Sequence, residues 1–219
     1  MMNRYYYLTI PIIIGIVLAL FLSSLGDDRD GTLLTKKNLL ENGSPMLGNP
    51  SSPISILEWG DYQCTFCYRF HTSSFDVILD EYINSGRANF VFKDFPLNGP
   101  DSVFAAEAAY CAGDQGKYWQ YHDELYTNWG GERTGWITVD SLNKFATTVD
   151  LEIKEFNSCI NDHKYRQNVL ELEKFGKEIG IDATPSFLIF NNEKIIKVRG
   201  NQPVDTFRKA IEELEQLNR

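Results

Sequence analysis

The chain has little from which to build a metal site. It holds four cysteines and three histidines in 219 residues. Its one close pair, Cys64 and Cys67, has no companion pair: Cys111 and Cys159 stand alone, and His71, His122 and His163 are scattered along the sequence. A structural zinc site needs a second ligand pair, so the half-zinc reading of Cys64-x-x-Cys67 is the weaker one, and no metal is expected. Positive charge is also scarce. Twenty-one Lys and Arg against 30 Asp and Glu give a net charge of −9, which argues against a nucleic-acid binder and reads as a solvated acidic surface. Internal repeats and low-complexity tracts are missing, so the length suits one domain, possibly with an insertion. Charge is absent altogether between Tyr5 and Leu25, and no cysteine follows that run directly. The second absence argues against a lipidated N-terminus.

The uncharged run is mostly apolar. As one helix it would span about 31 Å, enough to cross a bilayer. Arg4 precedes it and Asp27, Asp28 and Asp30 follow, which puts the N-terminus inside and exports the rest. Residues 1–26 are therefore expected to be a membrane anchor. The competing reading is a signal peptide cut near Ser24-Leu25-Gly26, against which the run is long for a signal. Both readings put the remainder in an oxidising compartment. Residues 27–52 read as a flexible tether, with one short ordered piece near Leu33–Leu40, and Asn42-Gly43-Ser44 fits a glycosylation acceptor pattern.

A compact domain is expected over 53–219, and a hydrophobic share of 43% is ample for its core. Ile54–Trp59 reads as a buried strand, Tyr68–Asn84 as a helix ended by Ser85-Gly86, and Asn89–Lys93 as a second strand. From about 101 to 180 the pattern is helical: Ser102–Ala112, Lys117–Asn128, Val139–Val149 with Thr138 or Asp140 as its N-cap, Ile153–Asp162 and Lys164–Ile179. Then Ser186–Phe190 and Lys194–Val198 form a hairpin across Asn191-Asn192-Glu193, and Val204–Leu217 closes the chain as an amphipathic helix. Without the helical block this order is a βαβ unit followed by ββα, which is the thioredoxin arrangement.

The pair Cys64-Thr65-Phe66-Cys67 lies where the first strand gives way to the first helix. The N–H groups and positive dipole of a helix start favour a thiolate there, and one turn brings both sulfurs within disulfide reach. Glu58 precedes Cys64 by six residues on an otherwise apolar strand. Buried, it would have a raised pKa and could pass protons to the thiols; turned outward at the strand end, it would be solvated. Thr184-Pro185 opens the third strand, where a proline without a donor is awkward unless the site uses it; an ordinary turn is the alternative. Cys111 and Cys159 are left for each other, as a structural bridge or as an electron-relaying one. His71 reads as a solvated helix position, and the aromatics Trp119, Tyr121, Tyr126, Trp129 and Trp136 as packing.

The segments Leu57-Glu58-Trp59-Gly60-Asp61-Tyr62-Gln63-Cys64, Phe90-Val91-Phe92-Lys93-Asp94-Phe95-Pro96-Leu97, Ala109-Tyr110-Cys111-Ala112, Gly116-Lys117-Tyr118-Trp119 and Ala183-Thr184-Pro185-Ser186-Phe187 together resemble the DsbA-like thiol:disulfide oxidoreductases. The likeness is to the membrane-tethered or secreted group of Gram-positive bacteria and archaea. It implies an α/β thioredoxin fold, a central mixed sheet flanked by helices, with an all-helical insertion between its halves. It implies a redox-active Cys64–Cys67 disulfide, a cis bond before Pro185, and a substrate chain held by Thr184, Pro185, Thr65 and Phe66. In some relatives a second disulfide matches Cys111 and Cys159. Relatives often carry Pro where this chain has Thr65, and the best-known oxidants carry His where it has Phe66. The implied partners are cysteine-containing exported proteins and a membrane thiol oxidase of the DsbB or VKOR kind, with no organic cofactor. A reductase or isomerase of the same fold is the nearer rival reading. A membrane-tethered chaperone-like module with a structural C-x-x-C is the more distant one.

Overall fold

The computed structural model describes residues 34–217. The chain divides between Leu39 and Leu40, and the larger unit begins at Leu40. The anchor or signal expected over residues 1–26 lies outside the described residues. Among the described residues no helix is long and apolar enough to cross a membrane. A short helix, α1 (Lys36–Leu40), falls where an ordered piece was expected.

The larger unit is built on a five-stranded sheet. Its strands are β1 (Leu47–Gly48), β2 (Ile54–Gly60), β3 (Ala88–Asp94), β4 (Ser186–Phe190) and β5 (Ile195–Arg199), in the order β1-β3-β2-β4-β5. β2 and β3 are parallel, and every other neighbouring pair is antiparallel. β2 is central and buried at all seven positions, as a strand covered on both faces must be. Register sets Glu58 opposite Phe92 on one side and Phe187 on the other. Residues in register share a face, so Glu58 has a phenylalanine neighbour on each side.

Between β2 and β3 runs one helical stretch, α2, over residues 65–83. It is α-helical at Thr65–Phe70 and Asp76–Ile78 and π-helical at His71–Phe75 and Leu79–Ile83. Its apolar face packs Phe70 against Phe187 and Phe207, with ring centroids 4.6 and 5.5 Å apart. Phe207 belongs to α8 (Val204–Leu217), which closes this face of the sheet. The helical block comprises α3 (Pro100–Gly113), α4 (Tyr118–Thr127), α5 (Val139–Thr148), α6 (Ile153–Asn161) and α7 (Arg166–Glu178). Thr138 caps α5 in a reciprocal pairing with Ser141. α7 packs against the opposite face, where a Cβ on Gly176 would come within 2.9 Å of both Phe95 and Trp59. Only glycine permits so close an approach.

Among the boundaries that differ from the sequence reading, three have a clear structural cause. The sheet begins inside the stretch expected as a tether over 27–52: β1 pairs with β3, the Ser44 N–H donates to the Phe92 carbonyl, and the Phe92 N–H donates to Ser44 Oγ at 2.9 Å. Two residues of strand leave no apolar period to read, so the domain starts upstream of Pro53. The same hydroxyl ties the Asn42-Gly43-Ser44 acceptor pattern into the sheet. α2 starts at Thr65 rather than Tyr68, because its first turn is the cysteine pair and carries no apolar stripe. β5 starts one residue late, since Asn191 Oδ1 accepts the N–H groups of Glu193 and Lys194 and closes the turn.

Cys111 in α3 and Cys159 in α6 form a disulfide across a sequence separation of 48. Closing a loop of that length restrains the unfolded chain by about 4 kcal/mol in the chain-entropy view. A Cys111→Ala, Cys159→Ala double variant should therefore lose thermal stability while keeping the exchange activity of its remaining thiols. Calorimetry paired with a peptide-oxidation assay checks this, and collapse of activity with stability intact would assign the bridge to electron transfer.

Candidate active site

The site forms where β2 ends. Asp61 is fully enclosed and organises the turn: Oδ1 accepts the Gln63 N–H at 2.8 Å, and Oδ2 accepts the Asn98 N–H at 2.8 Å. The Asp61 carbonyl accepts the Cys64 N–H at 3.0 Å. That places Cys64 as the N-cap of α2, in extended backbone with φ −67° and ψ 124°, and Cys67 one turn inside the helix. Both thiols are unbridged and buried, Cys64 at 5% exposure and Cys67 at 0%.

The two sulfurs differ in electrostatics. A hydrogen bond from the Cys67 thiol, with the N–H groups of Cys67 and Phe66, outweighs burial and lowers Cys64 from 9.0 to about 7. Burial, reinforced by the Cys64 sulfur, pushes Cys67 well above its ordinary value. Burial likewise raises Glu58 far above the usual carboxylate range, with the Cys64 thiolate adding to the shift. Glu58 is thus a buried carboxyl beneath the thiol pair, not a solvated strand-end residue. From the other half of the fold, the Thr184 carbonyl accepts from Cys64 Sγ at 3.4 Å, and the Thr184–Pro185 peptide is cis. Thr184 is 8% exposed, whereas Phe66 projects outward at 53% with the Arg69 guanidinium over its ring. Leu97 is exposed as well.

Several residues at the site escaped the sequence reading. The loop 128–136 borders the cysteine pair. Trp129 stacks on Tyr68 at 4.6 Å and donates its Nε1–H to the Gln63 carbonyl at 3.0 Å. The Arg133 N–H donates to Gln63 Oε1 at 2.9 Å, and Glu132 Oε1 accepts the Thr65 N–H at 2.8 Å. Trp129 packs, as expected, and in doing so forms part of the site's wall. The Asp61 turn had a legible signal, an Asp two residues before the amide it accepts. The loop had none, since its partners lie more than sixty residues away.

The histidines also read differently in three dimensions. His71 is not solvated: its ring lies between Phe75 and Tyr126, at 5.2 and 4.6 Å. His122 is buried and bonds the Tyr62 hydroxyl through Nδ1 at 2.9 Å. Their rings sit 5.3 Å apart, and with Asp123 they bring three ligand-type atoms within 4.8 Å of one another. Burial lowers His71 to about 4 and His122 well below its ordinary value, so both imidazoles are neutral at pH 7. They serve as part of the aromatic wall behind the thiols.

A strand–helix junction that activates one thiol at the helix start, seals a second one turn on, and sets a carboxyl beneath them suits the chemistry of a thiol:disulfide oxidoreductase of the thioredoxin fold. The family comparison agrees. The chain belongs to the thioredoxin family, whose model (described as "Thioredoxin") matches residues 41–213, and it is DsbA-like within it. It is 27% identical over 158 residues to "Disulfide bond formation protein D" of Bacillus subtilis (strain 168), covering 71% of this chain and 70% of the relative. Among solved structures it resembles alpha-DsbA1 of Wolbachia pipientis, with TM-score 0.71 and 27% identity over 84% of this chain and 94% of that one. Oxidised BdbD from Bacillus subtilis shares the fold at TM-score 0.70 and 24% identity, over 78% of this chain and 92% of that one.

The asymmetry of the two thiols is measurable. In the reduced protein, iodoacetamide should modify Cys64 at a rate that climbs through pH 7 and levels off above about pH 8, following its thiolate fraction. Cys67 should stay unmodified across that range. Equal labelling of the two, located by peptide mapping, would contradict the arrangement.

Proposed function

We propose that the chain is an extracytoplasmic disulfide oxidase for exported proteins, with Cys64 as the exchanging thiol. The observation that carries this reading is the electrostatic split between Cys64 and Cys67 at the start of α2. In the oxidised form a substrate thiolate attacks Cys64 Sγ. A substrate–Cys64 bond forms, the Cys64–Cys67 bond breaks, and the Cys67 sulfur leaves as a thiolate. The protonated Glu58 carboxyl supplies that sulfur's proton, because a thiolate on buried Cys67 is costly. A second substrate thiolate then attacks the substrate sulfur of the mixed disulfide. The substrate disulfide forms and Cys64 departs as the thiolate that the helix N–H groups stabilise. Two electrons pass from substrate to protein, and the protein ends as the dithiol.

The Thr184 carbonyl, next to Pro185, contacts the sulfur that is attacked, and Phe66, two residues after Cys64, offers exposed apolar surface. An unfolded cysteine-containing chain suits such a surface. The name of the Bacillus relative, a disulfide bond formation protein, supports the oxidising direction. The uncharged run between Tyr5 and Leu25, flanked by Arg4 and Asp27, supports a single-pass anchor with the catalytic domain outside. Reoxidation would fall to a membrane thiol oxidase of the DsbB or VKOR kind.

The test removes the resolving thiol. Cys67→Ala should leave mixed disulfides on Cys64 that accumulate as adducts, visible in diagonal non-reducing then reducing electrophoresis of membranes from expressing cells. Cys64→Ser should form none and should oxidise no peptide. Adducts with exported cysteine-containing proteins support the reading. Their absence, with Cys64 still reactive toward iodoacetamide, would overturn it.

A further inference from the structure

The amide that opens α2 is already occupied. Thr65 is the first helical residue after Cys64, and its N–H donates at 2.8 Å to Glu132 Oε1, a side chain 67 residues away in sequence. The next two amides, of Phe66 and Cys67, serve the Cys64 sulfur. One helix end therefore holds two anionic groups. The positive potential of a helix start is shared between whatever charges lie on it, and a fixed negative charge there disfavours a second.

Glu132 is brought to this place by a loop that is fastened independently of it. Trp129 donates to the Gln63 carbonyl and stacks on Tyr68. The Arg133 N–H donates to Gln63 Oε1, and its guanidinium donates to the Leu97 carbonyl at 3.2 Å. Trp136 Nε1–H donates to the Gly131 carbonyl at 3.0 Å, on the other side of Glu132. The Glu132 contact is thus not what holds the loop.

The contact also depends on what stands at position 65. A proline there would have no N–H to give. Cys64 already has the extended backbone that a residue before proline adopts, and the first helical position accepts proline without strain. Thr65 is therefore the feature that lets a carboxylate dock on this helix.

Resting on the reading of Cys64 as the exchanging thiol, we propose that Glu132, docked on the Thr65 N–H, is a positioning residue that holds the Cys64 thiolate less stable than the helix end alone would make it, and so lowers the oxidising power of the pair. The other titratable groups around Cys64 are Cys67 in α2, Glu58 in β2, Asp61 in the turn and Tyr126 in α4. Burial works against charge on all four. Glu132 is exposed, so its influence is screened by solvent and modest.

The experiment uses the intact protein and the variants Glu132→Gln, Thr65→Pro and the double variant. Two quantities are read: the Cys64 midpoint from thiolate absorbance, and the equilibrium with a glutathione buffer. Glu132→Gln removes the charge and should lower the midpoint by about half a unit, shifting the glutathione equilibrium about twofold toward the reduced protein at pH 7, about 10 mV. The difference should vanish at pH 5, where Cys64 is protonated in both proteins, and should shrink at about 1 M salt. Thr65→Pro removes the donor and should shift both quantities in the same direction. The double variant should exceed neither single one, as residues acting through one contact are non-additive. A merely structural role would move the melting temperature and leave the midpoint in place. If parent Cys64 exchanges normally and both single variants keep its midpoint, the inference about Glu132 is overturned alone. If parent Cys64 does not exchange with glutathione, the functional reading and this inference fall together.

Discussion

The structure depends on placing one sulfur at the open end of a helix while sealing its partner one turn inside. Neither half works alone. A helix start stabilises negative charge only at atoms its free N–H groups can reach, and here those of Phe66 and Cys67 serve Cys64. Burial disfavours charge wherever it occurs, and Cys67 is fully enclosed. The same chemical group is thus given opposite preferences within one turn. The turn at Asp61 is the device that achieves this. Its carboxylate accepts two backbone amides and its carbonyl accepts the Cys64 N–H, which fixes where the strand stops and the helix starts.

The enclosure behind the thiols is aromatic. Phe92 and Phe187 lie in register with Glu58, and Tyr62 packs against Phe92, His122 and Tyr126 at 5.3–5.4 Å. Such a wall excludes water and raises the cost of charge on Glu58 and Cys67 alike. The helical block is what completes it, since His122 and Tyr126 come from α4. The insertion therefore contributes directly to the environment of the thiols. Its own integrity is tied by the Cys111–Cys159 bridge between α3 and α6.

Much of this was legible in the sequence. The long elements could be read from apolar period, and β4 and α8 match their expected bounds residue for residue. The cysteine pair was legible because its chemistry needs a strand–helix junction. Glu58 was legible because a carboxylate in an apolar strand is costly unless it has a partner or a task. What could not be read were features made by distant backbone. β1 is two residues long and is defined only by its pairing with β3. His71 reads as solvated on its own helix and is covered by Tyr126 from another. Glu132 sits in a Gly- and Thr-rich loop whose composition suggests nothing but a loop. Each of these is set by contacts across many residues, and local propensity carries no record of them.

The proposed exchange at Cys64 and Cys67 rests on a reduced form favoured by a stabilised Cys64 thiolate. The equilibrium reduction potential of the pair against glutathione measures that preference directly. Thiolate stabilisation favours the dithiol and makes the disulfide easier to reduce, and a Cys64 thiol lowered to about 7 matches that of thioredoxin, so the potential should lie near the thioredoxin value of about −270 mV or be less negative. A potential below about −300 mV, where structural disulfides lie, would show that the helix end does not activate Cys64 and would contradict the arrangement described.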